Sequence, residues 1–121
     1  MGNRILLVED DDDLRSILAK RLEVSGHVVR QAANGEEAVR AAPLFKPELV
    51  ILDVNMPLKD GYQTCQELRD MRDFADTPII FLTARGEDWD LLTGYSKGCD
   101  KYLVKPVDFD DLKREIQDSL S

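Results

Sequence analysis

The chain is poor in the residues that build metal and disulfide frameworks. Its two cysteines, Cys65 and Cys99, lie far apart and form no CxxC pair. They read as reduced thiols rather than as a staple or a zinc site. The single histidine, His27, starts a short apolar stretch away from every acidic cluster. It is neither a metal site nor a phosphohistidine candidate. Positive charge is also short, with 16 Lys and Arg against 24 Asp and Glu, a net charge of −8. No basic stripe tracks a phosphate backbone, which argues against direct nucleic-acid binding. No apolar run approaches the roughly 20 residues of a membrane-spanning helix. Arg4 is followed by only four apolar residues before the acids begin, so no signal peptide is read. Leu6 stands where a myristoylation signal needs Ser or Thr. A cytoplasmic location, with no membrane partner, is the resulting expectation.

What the chain does have is alternation. Ile5-Leu6-Leu7-Val8 reads as a buried strand, and Leu14, Ile17, Leu18 and Leu22 then recur at helical spacing up to Gly26. Val28-Val29 suggest a short second strand. Asn34-Gly35 reads as a turn, after which Ala38, Val39 and Ala42 form an inner helical face, with Pro43 and Pro47 bracketing its exit. Leu49 to Leu52 make the third strand, and Asp60-Gly61 opens a helix with Cys65, Leu68 and Met71 inward. Ile79 to Leu82 form the fourth strand. A fourth helix carries Leu92 and Tyr95, Tyr102 to Val104 form the fifth strand, and Phe109, Leu112, Ile116 and Leu120 line the last helix.

Strand and helix patterns thus repeat five times. The expected fold is α/β, a (βα)5 doubly wound parallel five-stranded sheet of order 2-1-3-4-5, with helices on both faces. The expected organisation is one domain over residues 1–121.

Polar residues punctuate the strand ends. Glu9-Asp10 end the first strand and Asp53 ends the third. In this strand order the two are neighbours, and the gap between them is the topological switch point where such sheets bind ligands. Three carboxylates therefore converge, with Lys105 as the one obvious cation nearby. Their surplus negative charge is costly unless a cation binds. Oxygen ligands with an open coordination sphere suit Mg²⁺. Asp11, Asp12 and Asp13 are read instead as an acidic helix start. Alone, Thr83 would be a helix cap and Lys105 a surface lysine.

Four segments in order carry a resemblance: Val8-Glu9-Asp10, Asp53 to Gly61, Thr83-Ala84, and Tyr102 to Pro106. With them the chain resembles the receiver domain of two-component response regulators, over essentially its whole length. The resemblance implies a flavodoxin-like, CheY-like fold and a phosphorelay switch. Asp53 would be the phosphoacceptor. Glu9, Asp10, Asp53 and the carbonyl of Asn55 would hold Mg²⁺. Lys105 and Thr83 would contact the phosphoryl group, beside a small Ala84, and the Lys105-Pro106 peptide would be cis. Thr83 and Tyr102 would form the switch, changing the face made by the fourth helix, fifth strand and fifth helix. Leu91, exposed, and Trp89, partly buried, would belong to a partner-docking surface. Asn55 and Arg85 would tune phosphate lifetime. The implied partners are a sensor histidine kinase or phosphotransfer protein upstream and an effector or output domain downstream. The implied protein assists its own phosphorylation and dephosphorylation without being a turnover enzyme.

Lys101, Glu115 and Gln117 depart from the charges with which many DNA-binding members dimerise. A symmetric dimer through that face is therefore not expected. Two other classes compete. A Mg²⁺-dependent aspartyl-phosphate phosphatase would carry an acid at position 55 and turn over phosphate esters. A flavodoxin-like carrier would need a phosphate-cradling first loop, and this one is acidic.

Overall fold

The apolar runs become the strands of one sheet because each is long enough to cross it and short enough to need no second turn. The computed structural model describes residues 2–54, 56, 59–84 and 100–121. The elements are β1 (Arg4–Val8), α1 (Asp12–Val24), β2 (Val28–Ala32), α2 (Gly35–Phe45), β3 (Leu49–Asp53), α3 (Gly61–Asp70), a 3-10 turn (Arg72–Phe74), β4 (Ile79–Thr83), β5 (Lys101–Val104) and α4 (Phe109–Leu120). The helix expected to carry Leu92 and Tyr95 lies outside the described residues. So do Asn55, Arg85, Trp89, Leu91 and Cys99. Among the described residues, no helix is long and apolar enough to cross a membrane.

All strands are parallel, in the order β2-β1-β3-β4-β5. This is the expected topology. Strand side chains alternate between the two faces. Ile5, Leu7, Ile51, Ile80 and Leu82 pack with Leu18, Leu22, Leu112 and Ile116 of α1 and α4. Leu6, Val8, Val50, Leu52 and Phe81 pack with Ala38, Ala42, Cys65 and Leu68 of α2 and α3. Every residue of β3 is buried, as a central strand covered on both faces must be.

Short polar side chains start the helices. Asp11 caps α1, Asn34 caps α2 and Asp108 caps α4, each accepting from backbone N–H groups of the first turn. Asp60 and Gln63 form a reciprocal capping box on α3. Gly26, at φ 98°, takes the left-handed conformation that turns the chain from α1 into β2.

Three local expectations change. Ile17 is 55% exposed, so the inner stripe of α1 is Leu18, Ala19 and Leu22 with Leu14 partly covered. Helical spacing alone makes the stripe too wide. Pro43 lies inside α2, which runs on to Phe45. A proline so near the C-terminus removes one hydrogen bond where the ladder is about to end anyway. Asn34-Gly35 is not a separate turn, since the asparagine caps the helix that the glycine begins.

Candidate functional site

Alternation along the strands also sorts the polar ends. Ile5 and Leu7 are followed on the same face by Glu9, Leu49 and Ile51 by Asp53, and Leu103 by Lys105. Val8 pairs with Leu52, Asp53 with Leu82, and Thr83 with Val104, so the carboxyl ends of four strands are level. The side chains meet accordingly. Ligand oxygens of Glu9, Asp10 and Asp53 all lie within 4.8 Å of one another. Lys105 Nζ sits 2.8 Å from Glu9 Oε1 and 3.2 Å from Asp53 Oδ1. Glu9, Asp53 and Thr83 are buried, whereas Asp10 is exposed at the mouth. The Lys105-Pro106 peptide is cis.

Burial next to a second carboxylate has a clear electrostatic effect. Loss of solvation, reinforced by the charge of Glu9, raises the Asp53 pKa to about 7, although Lys105 pulls it back. Burial also works against ionisation of Asp10, but hydrogen bonds to Glu9 and Asp53 and the Lys105 charge outweigh it and bring its pKa down. Lys105 loses solvation too, yet Glu9 and Asp53 hold its pKa above the ordinary lysine value.

Each element that positions these groups is itself fixed. The N–H of Glu9 donates to Ala32 O at 3.1 Å, and Glu9 Oε2 accepts from the N–H of Asp11 at 3.1 Å. The Lys105 contact to Oε1 is an ion pair by distance, not an aligned hydrogen bond. Val54 N–H donates to Leu82 O at 2.8 Å, and Lys105 N–H to Thr83 O at 2.7 Å. Thr83 and Tyr102 share the other face of the sheet. Tyr102 is half-buried, pairs in register with Phe81 and packs against the core on that side.

Two residues gain roles that the sequence does not announce. Arg15 belongs by pattern to the polar face of α1, yet its Nη1 donates to Glu9 O at 2.8 Å. Arg15 thus braces the backbone behind the crevice. Gly61 reads in the sequence only as a helix opener. A Cβ there would lie 2.4 Å from Asp53 O and 2.7 Å from Val54 Cα, so α3 begins against the backbone at the end of β3. The Asp-Gly pair that ends eight residues after Asp53 is the available signal. His27 precedes β2, at the opposite end of the sheet from the acidic cluster, where its Nδ1 accepts from the N–H of Asn3 at 3.2 Å.

Residues 5–117 match the response regulator receiver domain family. The chain belongs to that family. This receiver domain is 46% identical over 117 residues to the "Probable transcriptional regulator ycf27" of Cyanophora paradoxa, covering 97% of the chain and 48% of the relative. It spans about half the length of the curated relatives it matches. In structure it resembles the chemotaxis protein CheY4 of Vibrio cholerae, at TM-score 0.95 and 29% identity over 99% of this chain and 100% of that one. It also resembles the receiver domain of the sensor histidine kinase PA1611 from Pseudomonas aeruginosa, at TM-score 0.91 and 32% identity over 99% and 98% of the two chains. In that structure a magnesium ion is coordinated in the active-site cleft. Receiver domains are signalling domains that interact with histidine kinases, and they are not turnover enzymes in the usual sense. The fold and family readings thus hold.

Proposed function

We propose that this receiver domain takes a phosphoryl group onto Asp53 from the phosphohistidine of a sensor histidine kinase or phosphotransfer protein, with Mg²⁺ bound by Glu9, Asp10 and Asp53. The observation that carries this reading is the meeting of Asp53, Glu9, Asp10 and Lys105 at the level ends of β1, β3 and β5. The donor set fits a hard divalent cation. It offers three carboxylates, and burial together with the Glu9 charge raises the pKa of one of them, Asp53, to about 7. When bound, Mg²⁺ supplies positive charge for the phosphoryl oxygens.

The residues of the chain do the rest. An Asp53 carboxylate oxygen forms the new P–O bond while the P–N bond to the donor imidazole breaks, and the imidazole leaves with its electron pair. The burial of β3 holds the nucleophile still. Lys105, paired with both Glu9 and Asp53, favours the carboxylate form and faces the incoming negative charge. The hydroxyl of Thr83 donates to a phosphoryl oxygen and is drawn toward it. Tyr102, on the same sheet face, follows inward and alters the surface of β5 and α4.

That surface is the proposed output face. Within this chain Lys101 Nζ already pairs with Glu115 Oε2 at 2.8 Å and lies 3.6 Å from Asp118 Oδ2. Such internal pairing supports the expectation that the symmetric dimer of many DNA-binding members is not used. A downstream effector or output domain, not this acidic surface, would contact nucleic acid.

The test is to incubate the protein with Mg²⁺ and acetyl phosphate and to measure intact mass. A labile gain of one phosphoryl group in the wild type, absent from Asp53→Ala and from metal-free samples, is expected. No such gain would refute the proposal.

A further inference from the structure

Glu9 is held by every polar group it has. Its N–H and its two carboxylate oxygens are committed to Ala32, Asp11 and Lys105, and its carbonyl oxygen accepts from Arg15 Nη1 at 2.8 Å. The other nitrogens of that guanidinium are committed as well. Nη2 donates to Asp12 Oδ1 at 2.7 Å, and Nε donates to Gln31 Oε1 at 3.3 Å. One side chain thus joins the first turn of α1, the edge strand β2 and the backbone between Glu9 and Asp10. The Arg15 side chain is only 15% exposed, so this fork is partly shielded from water. A planar guanidinium presents donors on three separate nitrogens and so spans such acceptors, whereas an ammonium presents all of its donors from one nitrogen.

Resting on the metal-dependent reading above, we infer that Arg15 is a positioning residue for the cation site. It acts through the Glu9 carbonyl, fixing the peptide that carries the Asp10 carboxylate to the mouth of the crevice. It touches neither the metal nor the phosphoryl group. Partners behind metal ligands commonly govern affinity by about 10- to 100-fold when removed. Charge alone predicts the opposite. Deleting a cation beside three carboxylates leaves the site more negative and would tighten a divalent ion. The two effects have opposite signs, which separates positioning from electrostatics.

The experiment titrates MgCl₂ into the purified protein by isothermal calorimetry, for wild type, Asp10→Asn, Arg15→Ala, Arg15→Lys and Gln31→Ala. Far-UV circular dichroism confirms that each variant is folded. Arg15→Ala should bind Mg²⁺ about tenfold more weakly than wild type, with Arg15→Lys recovering part of the loss. Gln31→Ala, which removes only the tether to β2, should show a smaller loss of the same sign. It reads the same contact if Arg15→Ala does not fold. Wild type that binds no Mg²⁺, or binding indifferent to Asp10→Asn, overturns the proposed function and this inference with it. Binding that is lost in Asp10→Asn but equal or tighter in Arg15→Ala overturns the inference alone. Where Arg15→Ala is unfolded, equal or tighter binding by both Arg15→Lys and Gln31→Ala does the same.

Discussion

Substituting Gly61 by Ala sets a local preference against a packing constraint, and the geometry says which wins. A Cβ at this position would meet Asp53 O at 2.4 Å and Val54 Cα at 2.7 Å. Comfortable contacts between heavy atoms begin near about 3.5 Å, so the overlap is roughly 1 Å. Both atoms are backbone, and neither can swing away. Val54 is tied to β4 through its N–H and to Gly61 through its carbonyl, which accepts at 3.0 Å. Overpacking of this kind costs about 1–3 kcal/mol. Alanine recovers at most about 1 kcal/mol of helix propensity, and less in a first turn. The net expectation is a loss of about 1–2 kcal/mol, or a melting temperature about 4–8 °C lower for a domain of this size.

Thermal and urea unfolding followed by circular dichroism measure the loss, and the rate of acetyl phosphate labelling measures the displacement of Asp53. Gly35→Ala serves as the internal comparison. Its Cβ would meet Thr64 Oγ1 at 2.2 Å, a buried hydroxyl that donates to Asp60 O at 3.0 Å. It should therefore also destabilise the protein, but through the packing of α2 on α3 and not through β3. A Gly61→Ala protein that matched wild type in both stability and labelling rate would refute the close docking of α3 against the end of β3.

Two further outcomes concern groups at the two ends of the sheet. The folded-state pKa of Asp53 lies above its ordinary value of 3.8, at about 7. Its contribution to stability should be complete below pH 4 and disappear as the pH rises through 7, because the folded protein binds the extra proton between those limits. His27, whose pKa burial pushes down, acts in the opposite sense near its ordinary value of 6.5. Asp53→Asn isolates the first effect. In chelator, the stability of wild type relative to this variant should fall between pH 4.5 and 8, and parallel profiles would refute the assignment. At the other end, Asp100 Oδ2 accepts from Ile79 N–H at 2.7 Å and from Arg69 Nη2 at 2.9 Å. Asp100→Ala leaves the N–H of a buried residue without its acceptor, a cost of about 1–3 kcal/mol in urea unfolding, while Asp100→Asn should lose less. Equal losses would mean that charge, not the backbone contact, carries the effect.

Burial on both faces of a parallel sheet leaves short unbroken apolar runs, too short for helices and bounded by turn residues, which is why β1, β3 and β4 are plain. The edges are less plain. β2 carries Arg30 and Gln31 among its five residues and shows in the sequence only as Val28-Val29. One exposed side relaxes the demand for apolar residues. The acidic and basic ends of the strands are legible only together, since each alone has an ordinary structural explanation and the strand order brings them to one edge. Arg15 and Gly61 are not legible even so, because their roles depend on what the chain brings against them. An arginine on a polar helix face looks like any other until folding carries the Glu9 carbonyl within reach of its guanidinium. A glycine at a helix start looks like a turn residue until the backbone of β3 passes close to its absent Cβ.

The site sets its own cost against its use. Glu9 and Asp53 are buried side by side, and even with Lys105 as close counter-charge the pKa of Asp53 is raised to about 7. Burying two carboxylates against one ammonium is a weak source of stability for the fold alone. On the proposed function, the same unrelieved charge would favour a divalent cation, and a bound cation would in turn free Asp53 to act as a nucleophile. Metal binding, deprotonation of Asp53 and phosphoryl acceptance would then be linked through one electrostatic deficit. Any change that relieves the deficit by other means, such as neutralising Glu9, should stabilise the metal-free protein and weaken its hold on Mg²⁺ together.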